Sequence, residues 1–367
     1  MEVTKVKRIY WIDLAKIFAM FLIIISHTIA YSSELQWLYK YVSSFHVAFF
    51  FVISGLTFKI EKYDNYKIFI KEKFKRIMVP YFVFAILFLI PYIFLGTGVA
   101  KDLERADIDF NIQKSILGVF YGNGHDNYLR QNSSLWFLPC LFVTEAIFYF
   151  IEKNKNKYKY YIAIILSIIF GAIDSYLLPI RFPWGFDIAI CMIAFFAIGK
   201  IIVNVMNVID KKKNNKILYA LIGIACIVIG AILQIFNDKV MYMHNKYGNY
   251  IIFIISAIFS IAGYIFLIKQ CKNNKILEYA GNRTLAILIF HKIIVILFQT
   301  KIDFTEQLLK NGNILEEIII TLLVILISII GSLIIEKICD KLCPWTLGIY
   351  KKNNEKNKLK IGEKSGK

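Results

Sequence analysis

Read for its apolar and polar positions, the chain is a succession of long apolar runs separated by short polar stretches. A helix needs about 20 apolar residues to cross a bilayer, with a range of roughly 17–25. Ten runs come near that length: Ile9–Tyr31, Val42–Phe58, Ile77–Gly98, Ser134–Ile151, Tyr160–Leu178, Phe186–Val205, Ile217–Phe236, Tyr250–Ile268, Thr284–Phe298 and Ile314–Ile335. The second and ninth are short and carry polar residues. The pattern predicts an all-α transmembrane bundle of about ten helices. It makes one domain of residues 1–340, followed over 341–367 by a basic cytoplasmic tail expected to be disordered. No internal repeat is evident.

Composition sharpens this picture. Of the 367 residues, 58% are hydrophobic and 19% charged. A soluble domain of this size cannot hide so much apolar surface in one core. The net charge of +18 would suggest nucleic acid in a soluble protein. Here the basic residues lie between apolar runs and no basic–aromatic groove pattern appears, so membrane lipid is the expected partner and nucleic acid is not. Alternate loops carry unequal shares of Lys and Arg, roughly three to one, which places both termini in the cytoplasm by the positive-inside rule. The first run begins like a signal peptide, but it is too long and holds Asp13, Lys16 and His27. The six cysteines are scattered and read as reduced. Cys339 and Cys343 have no second Cys/His pair nearby, so no metal is expected.

Ionisable groups inside membrane helices are costly and draw attention first. Lys16 and His27 are eleven residues apart, about 20° past three full turns, so they share one helix face. Asp13 lies three residues before Lys16 on nearly the same face. The rise from Lys16 to His27 is about 16 Å. A donor with an anionic head and a thin reactive arm would fit such a stripe. Its phosphates would sit near Arg8, Lys16 and the basic inner loop, and its reactive end would reach His27. Acyl-coenzyme A has this shape, and histidine, with an ordinary pKa near 6.5, suits general-base work. On spacing alone, a neutralised Asp13–Lys16 pair with a packing histidine is an equal reading.

Other residues carry weaker signals. His46 opens the second run and could meet His27 at an acceptor mouth, or be an interfacial histidine. Glu145, well inside the fourth run, could hold a substrate hydroxyl, though a structural pair is favoured. Asp187 stands where it would favour a helix N-terminus. His291 and Lys292 read as a cross-bundle hydrogen bond and a lysine reaching for the interface. Trp136 and Trp184 could stack on sugar faces, with interfacial belt positions favoured. The loop Val99–Ser133 reads as solvated, and Ser54-Gly55 as a close helix contact or a passage for a thin arm.

The order of short motifs resembles a known family. Arg8-Ile9-Tyr10-Trp11-Ile12-Asp13-Leu14-Ala15-Lys16, followed after ten residues by His27, is similar to the signature of the membrane-bound acyltransferase 3 family, whose members include bacterial glycan O-acetylases. Ser44-Phe45-His46 leading through Phe49-Phe50-Phe51 to Ser54-Gly55 resembles the second-helix motif. Lys73-Phe74-Lys75-Arg76 before Pro80-Tyr81 resembles the basic start of the third. Ser134-Leu135-Trp136-Phe137-Leu138, Pro183-Trp184-Gly185-Phe186-Asp187, Phe195-Phe196-Ala197-Ile198-Gly199 and Leu288-Ile289-Phe290-His291 resemble later motifs. The look is closest to the fucose O-acetylase branch. Lys16 stands where arginine is common, and Val47-Ala48 where many branch members carry Met-Pro.

The resemblance implies a multi-pass cell-membrane protein that moves an acyl group, expected to be acetyl, from coenzyme A to a hydroxyl of an envelope glycan or lipid-linked sugar. It implies His27 as the catalytic base with Lys16 and Asp13 beside it. Donor phosphates would be held by Arg8, Lys73, Lys75 and Arg76, and the acceptor by His46, Trp136, Glu145 and Asp187. Acetyl-coenzyme A enters as a co-substrate. The sequence leaves oligomeric state open. A glycan or solute transporter is the alternative, since a polar stripe can also line a pathway.

Overall fold

The computed structural model describes residues 9–31, 34–94, 111–178, 180–210, 216–301 and 313–350. Among them nearly all are helical, and β pairing is confined to one isolated bridge between Met241 and Lys246. This is what lipid demands: a helix satisfies its backbone polar groups internally where no water can. Each of the ten apolar runs becomes a helix or a helix pair.

Helix α1 spans Tyr10–Thr28. The second crossing combines α2 (Gln36–Ser43) and α3 (His46–Thr57). The third runs from α4 (Tyr66–Lys73) through a π-helical turn at Phe74–Met78 into α5 (Val79–Phe94). Helix α6 (Ile112–Tyr121) is amphipathic and too short to cross. Then come α7 (Phe137–Lys153), α8 (Lys159–Leu177), α9 (Phe186–Asp210), α10 (Lys216–Ile235) and α11 (Tyr250–Gln270). Helices α12 (Lys275–Gly281) and α13 (Thr284–Lys301) meet at an 81° bend, and α14 covers Ile314–Leu342. Nine helical segments among the described residues are long and apolar enough to cross a membrane, or ten if the bent pair counts as one broken span. The protein is a multi-pass membrane protein.

Asparagine starts many of these helices. The side chains of Asn65, Asn111, Asn249 and Asn274 accept from the first free backbone N–H groups of α4, α6, α11 and α12. Asn313 forms a full capping box with Glu316 at α14. Such caps satisfy donors that the helix itself leaves open.

Helix α1 lies inside the bundle, with 67% of its apolar window buried, whereas α10 keeps only 17% of its own buried and turns Ile217, Leu221 and Ile232 outward. An aromatic core of Phe58, Phe148 and Phe196 packs between α3, α7 and α9, with Phe58 edge-on to the other two rings. Helices α3 and α9 cross where Gly55 meets the Phe196 carbonyl and Gly199 meets the Val52 carbonyl, and a Cβ on either glycine would collide with backbone. The Ser54-Gly55 pair therefore serves close helix contact.

Two expectations need correction. Positions 99–110 of the expected loop lie outside the described residues, but 129–132 is folded inward rather than solvated. Leu129 and Asn132 are fully buried. Their segment stays inside because its polar groups find carbonyl partners: the Asn132 amide donates to Ile289 at 2.8 Å and the Gln131 amide to Ala85 at 3.4 Å. At the other end, order continues past position 341. A turn at Pro344–Leu347 buries Thr346 and Leu347, and Gly348 sits against the backbone of Arg76. The part of the expected tail over 351–367 lies outside the described residues.

Candidate active site

Helix α1 carries His27 near its C-terminal end, among buried isoleucines. Beside it lies a cavity of about 220 Å³, a few water molecules in size at about 30 Å³ each. Four of the five histidines of the chain line it: His27, His46, His244 and His291. The fifth, His125, packs its ring 4.9 Å from that of His244. Ser133, Ser134 and Trp136 enter from the buried segment before α7, Tyr39 from α2, Tyr242 and Met243 from the turn before α11, and Lys292 from α13.

The contacts inside are specific. The His27 Nε2 lies 3.4 Å from the Ser134 Oγ, at the long limit of a hydrogen bond. The rings of His27 and His291 are 5.4 Å apart and tilted by 35°. His46 places Nδ1 2.9 Å from the Val42 carbonyl oxygen, and His291 places Nδ1 2.8 Å from that of Ile287. The Lys292 ammonium donates to the Ser133 hydroxyl. Lys292 is the one formally charged side chain among the described lining residues, and none of them is a carboxylate. His244 stands outside the membrane-crossing helices. Burial holds it below the ordinary histidine range, with the neighbouring charges of His125 and Lys246 acting the same way.

The other predicted residues are placed elsewhere. Asp13 and Lys16 form an ion pair at 3.1 Å, about three turns from His27 and away from the cavity wall. Glu145 does not hold a substrate hydroxyl at this cavity: it accepts from the Lys73 ammonium at 2.8 Å. The same bond takes Lys73 out of the open basic cluster and holds it between the rings of Phe58 and Phe69. Asp187 is also drawn away from the acceptor role. It is fully buried and faces the Arg181 guanidinium at 2.7 Å, with Asp174 on the other side at 3.2 Å. Trp184 donates from Nε1 to the Phe120 carbonyl and does not reach the cavity. Lys75 lies near Glu72 at 4.0 Å and over the Tyr350 ring, and Arg76 is exposed on the π-helical turn. Arg8 lies outside the described residues.

Sequence reasoning did not name His244, Tyr39, Tyr242 or Met243, and it misjudged three further members of the wall. His291 and Lys292 were read as structural and interfacial, yet both face the cavity. Ser133 fell in a loop read as solvated. The available signal was a lysine in mid-run directly after a histidine. No group of three or more metal-capable side chains converges among the described residues.

A family model described as an acyltransferase domain matches residues 9–336 of this chain. No curated protein and no solved structure matches it.

Proposed function

The chain belongs to the acyltransferase 3 family and is a membrane acyltransferase, and from that premise we propose that it moves an acetyl group from acetyl-coenzyme A to a hydroxyl of a cell-envelope sugar. The observation that carries this reading is His27 in a small cavity whose one charged wall group is a lysine. His27 Nε2 takes the proton of the acceptor hydroxyl as its oxygen attacks the thioester carbonyl carbon. The Lys292 ammonium and the Ser134 hydroxyl stand where they stabilise the oxyanion that forms. Collapse of that intermediate breaks the C–S bond. The departing thiolate takes the proton from the His27 imidazolium, and the ester leaves with the acceptor.

Donor phosphates fit the π-helical turn at Lys75 and Arg76, which lies at the end of the bundle where α1 begins. A thin arm from there would run along α1 past the Asp13–Lys16 pair. A transporter reading calls for broken helices in two matching halves; among the described residues there is one bent pair.

Membranes containing the protein, given radiolabelled acetyl-coenzyme A, test the reading. Label should enter envelope glycan, and His27→Ala should stop it while the protein remains inserted. Unchanged labelling by His27→Ala refutes the role of His27. No labelling by the native chain, with altered glycan export, favours transport.

A further inference from the structure

His291 is held in one chemical form by its own helix. Its Nδ1 lies 2.8 Å from the Ile287 carbonyl oxygen, four residues back. A carbonyl only accepts, so Nδ1 carries the hydrogen, and in the neutral ring Nε2 is left as an acceptor. That Nε2 is buried and has no hydrogen-bond partner in the protein. His291 itself is fully buried and lines the same cavity as His27. Buried polar atoms are nearly always satisfied, and an orphan in a cavity wall calls for a group from outside. His46 repeats the arrangement: its Nδ1 faces the Val42 carbonyl at 2.9 Å, which fixes its Nε2 as an acceptor on the same cavity.

We propose that His291 reads the acyl acceptor: its Nε2 accepts a hydrogen bond from a donor group adjacent to the hydroxyl that His27 deprotonates. The class selected is a vicinal diol, or a hydroxyl beside an amide N–H, in preference to an isolated alcohol. The two rings stand 5.4 Å apart, so neighbouring substituents on one small ring can reach both. His291 neither takes nor gives a proton in the transfer; it orients the acceptor and sets specificity. This inference rests on the transfer reading above.

The test uses the full-length protein in membranes, with radiolabelled acetyl-coenzyme A and two probe compounds, cis-1,2-cyclohexanediol and cyclohexanol, as competitors of glycan labelling. The diol should compete about tenfold better, the size of one net hydrogen bond. His291→Phe should erase that preference and lower glycan labelling by a similar factor. His291→Gln, which can return an acceptor oxygen, should restore part of the labelling. Equal potency of the two compounds, including none for either, overturns the proposal. So does His291→Phe with native labelling, or with labelling and melting temperature lost together, which would make the residue structural. A rise in KM for acetyl-coenzyme A alone would assign the contact to the amide of the donor and overturn it too. If the native protein moves no label, the transfer reading fails by itself. Stabilisation of the purified protein against heat by the diol over the alcohol, absent in His291→Phe, then still decides the role of His291.

Discussion

Where α1 begins, four ion pairs of the bundle cluster. Asp13 holds Lys16, Glu145 holds Lys73, Glu152 holds Lys200 at 3.0 Å, and Glu336 holds Arg283 at 3.1 Å. Around His27 the wall carries a lysine and four imidazoles, with no carboxylate among the described lining residues. The first region neutralises its cations and uses them to tie helices together. The second sets a lysine beside a base, which favours a reaction that develops negative charge there. Charge inside a membrane protein thus has two uses, told apart by the company it keeps rather than by depth.

Substitutions can break or sharpen that contrast. The largest effect should come from His27→Ala, with transfer falling by about 10²–10⁴, the usual contribution of a positioned general base. The contrast breaks if Lys16→Met, on the paired side, costs as much with the protein equally stable. Next comes Lys292→Met, expected to lower kcat by about 10²-fold with little change in melting temperature, as for loss of an oxyanion-stabilising group. Lys292→Arg should keep more activity than Lys292→Met, because the charge remains.

On the paired side the readout should be stability. Lys73→Met strands the Glu145 carboxylate and should cost up to about 3 kcal/mol, measured as heat unfolding in detergent. Lys73→Met with Glu145→Leu should recover much of that loss. A raised KM for acetyl-coenzyme A at unchanged stability would instead make Lys73 a donor ligand.

The smallest effect concerns His244. The fold depresses its pKa, so as pH falls below the ordinary value of about 6.5 the unfolded chain takes up the proton first and stability declines. The drop in melting temperature between pH 7.5 and 5.5 should shrink in His244→Asn; an unchanged drop would free His244 from that role.

Most of the architecture was legible in the sequence because lipid leaves a chain few choices. Ten apolar runs had to become helices. His27, His46 and Trp136 line the cavity. Glu145 and Asp187 do not, because their partners Lys73 and Arg181 come from other segments, and a one-dimensional reading does not show which cation will face which acid. His291 and Lys292 were misjudged for a different reason. Successive helical residues point about 100° apart, which argues against a shared site. The long lysine side chain covers that angle and reaches Ser133.

The turn after α14 matters to anyone shortening this protein. The last apolar run invites a cut near Leu342, where the final helix ends. Such a cut would discard Thr346, Leu347 and the backbone that rests on Arg76. A truncation after Tyr350 keeps that clasp, and fusion partners belong beyond it.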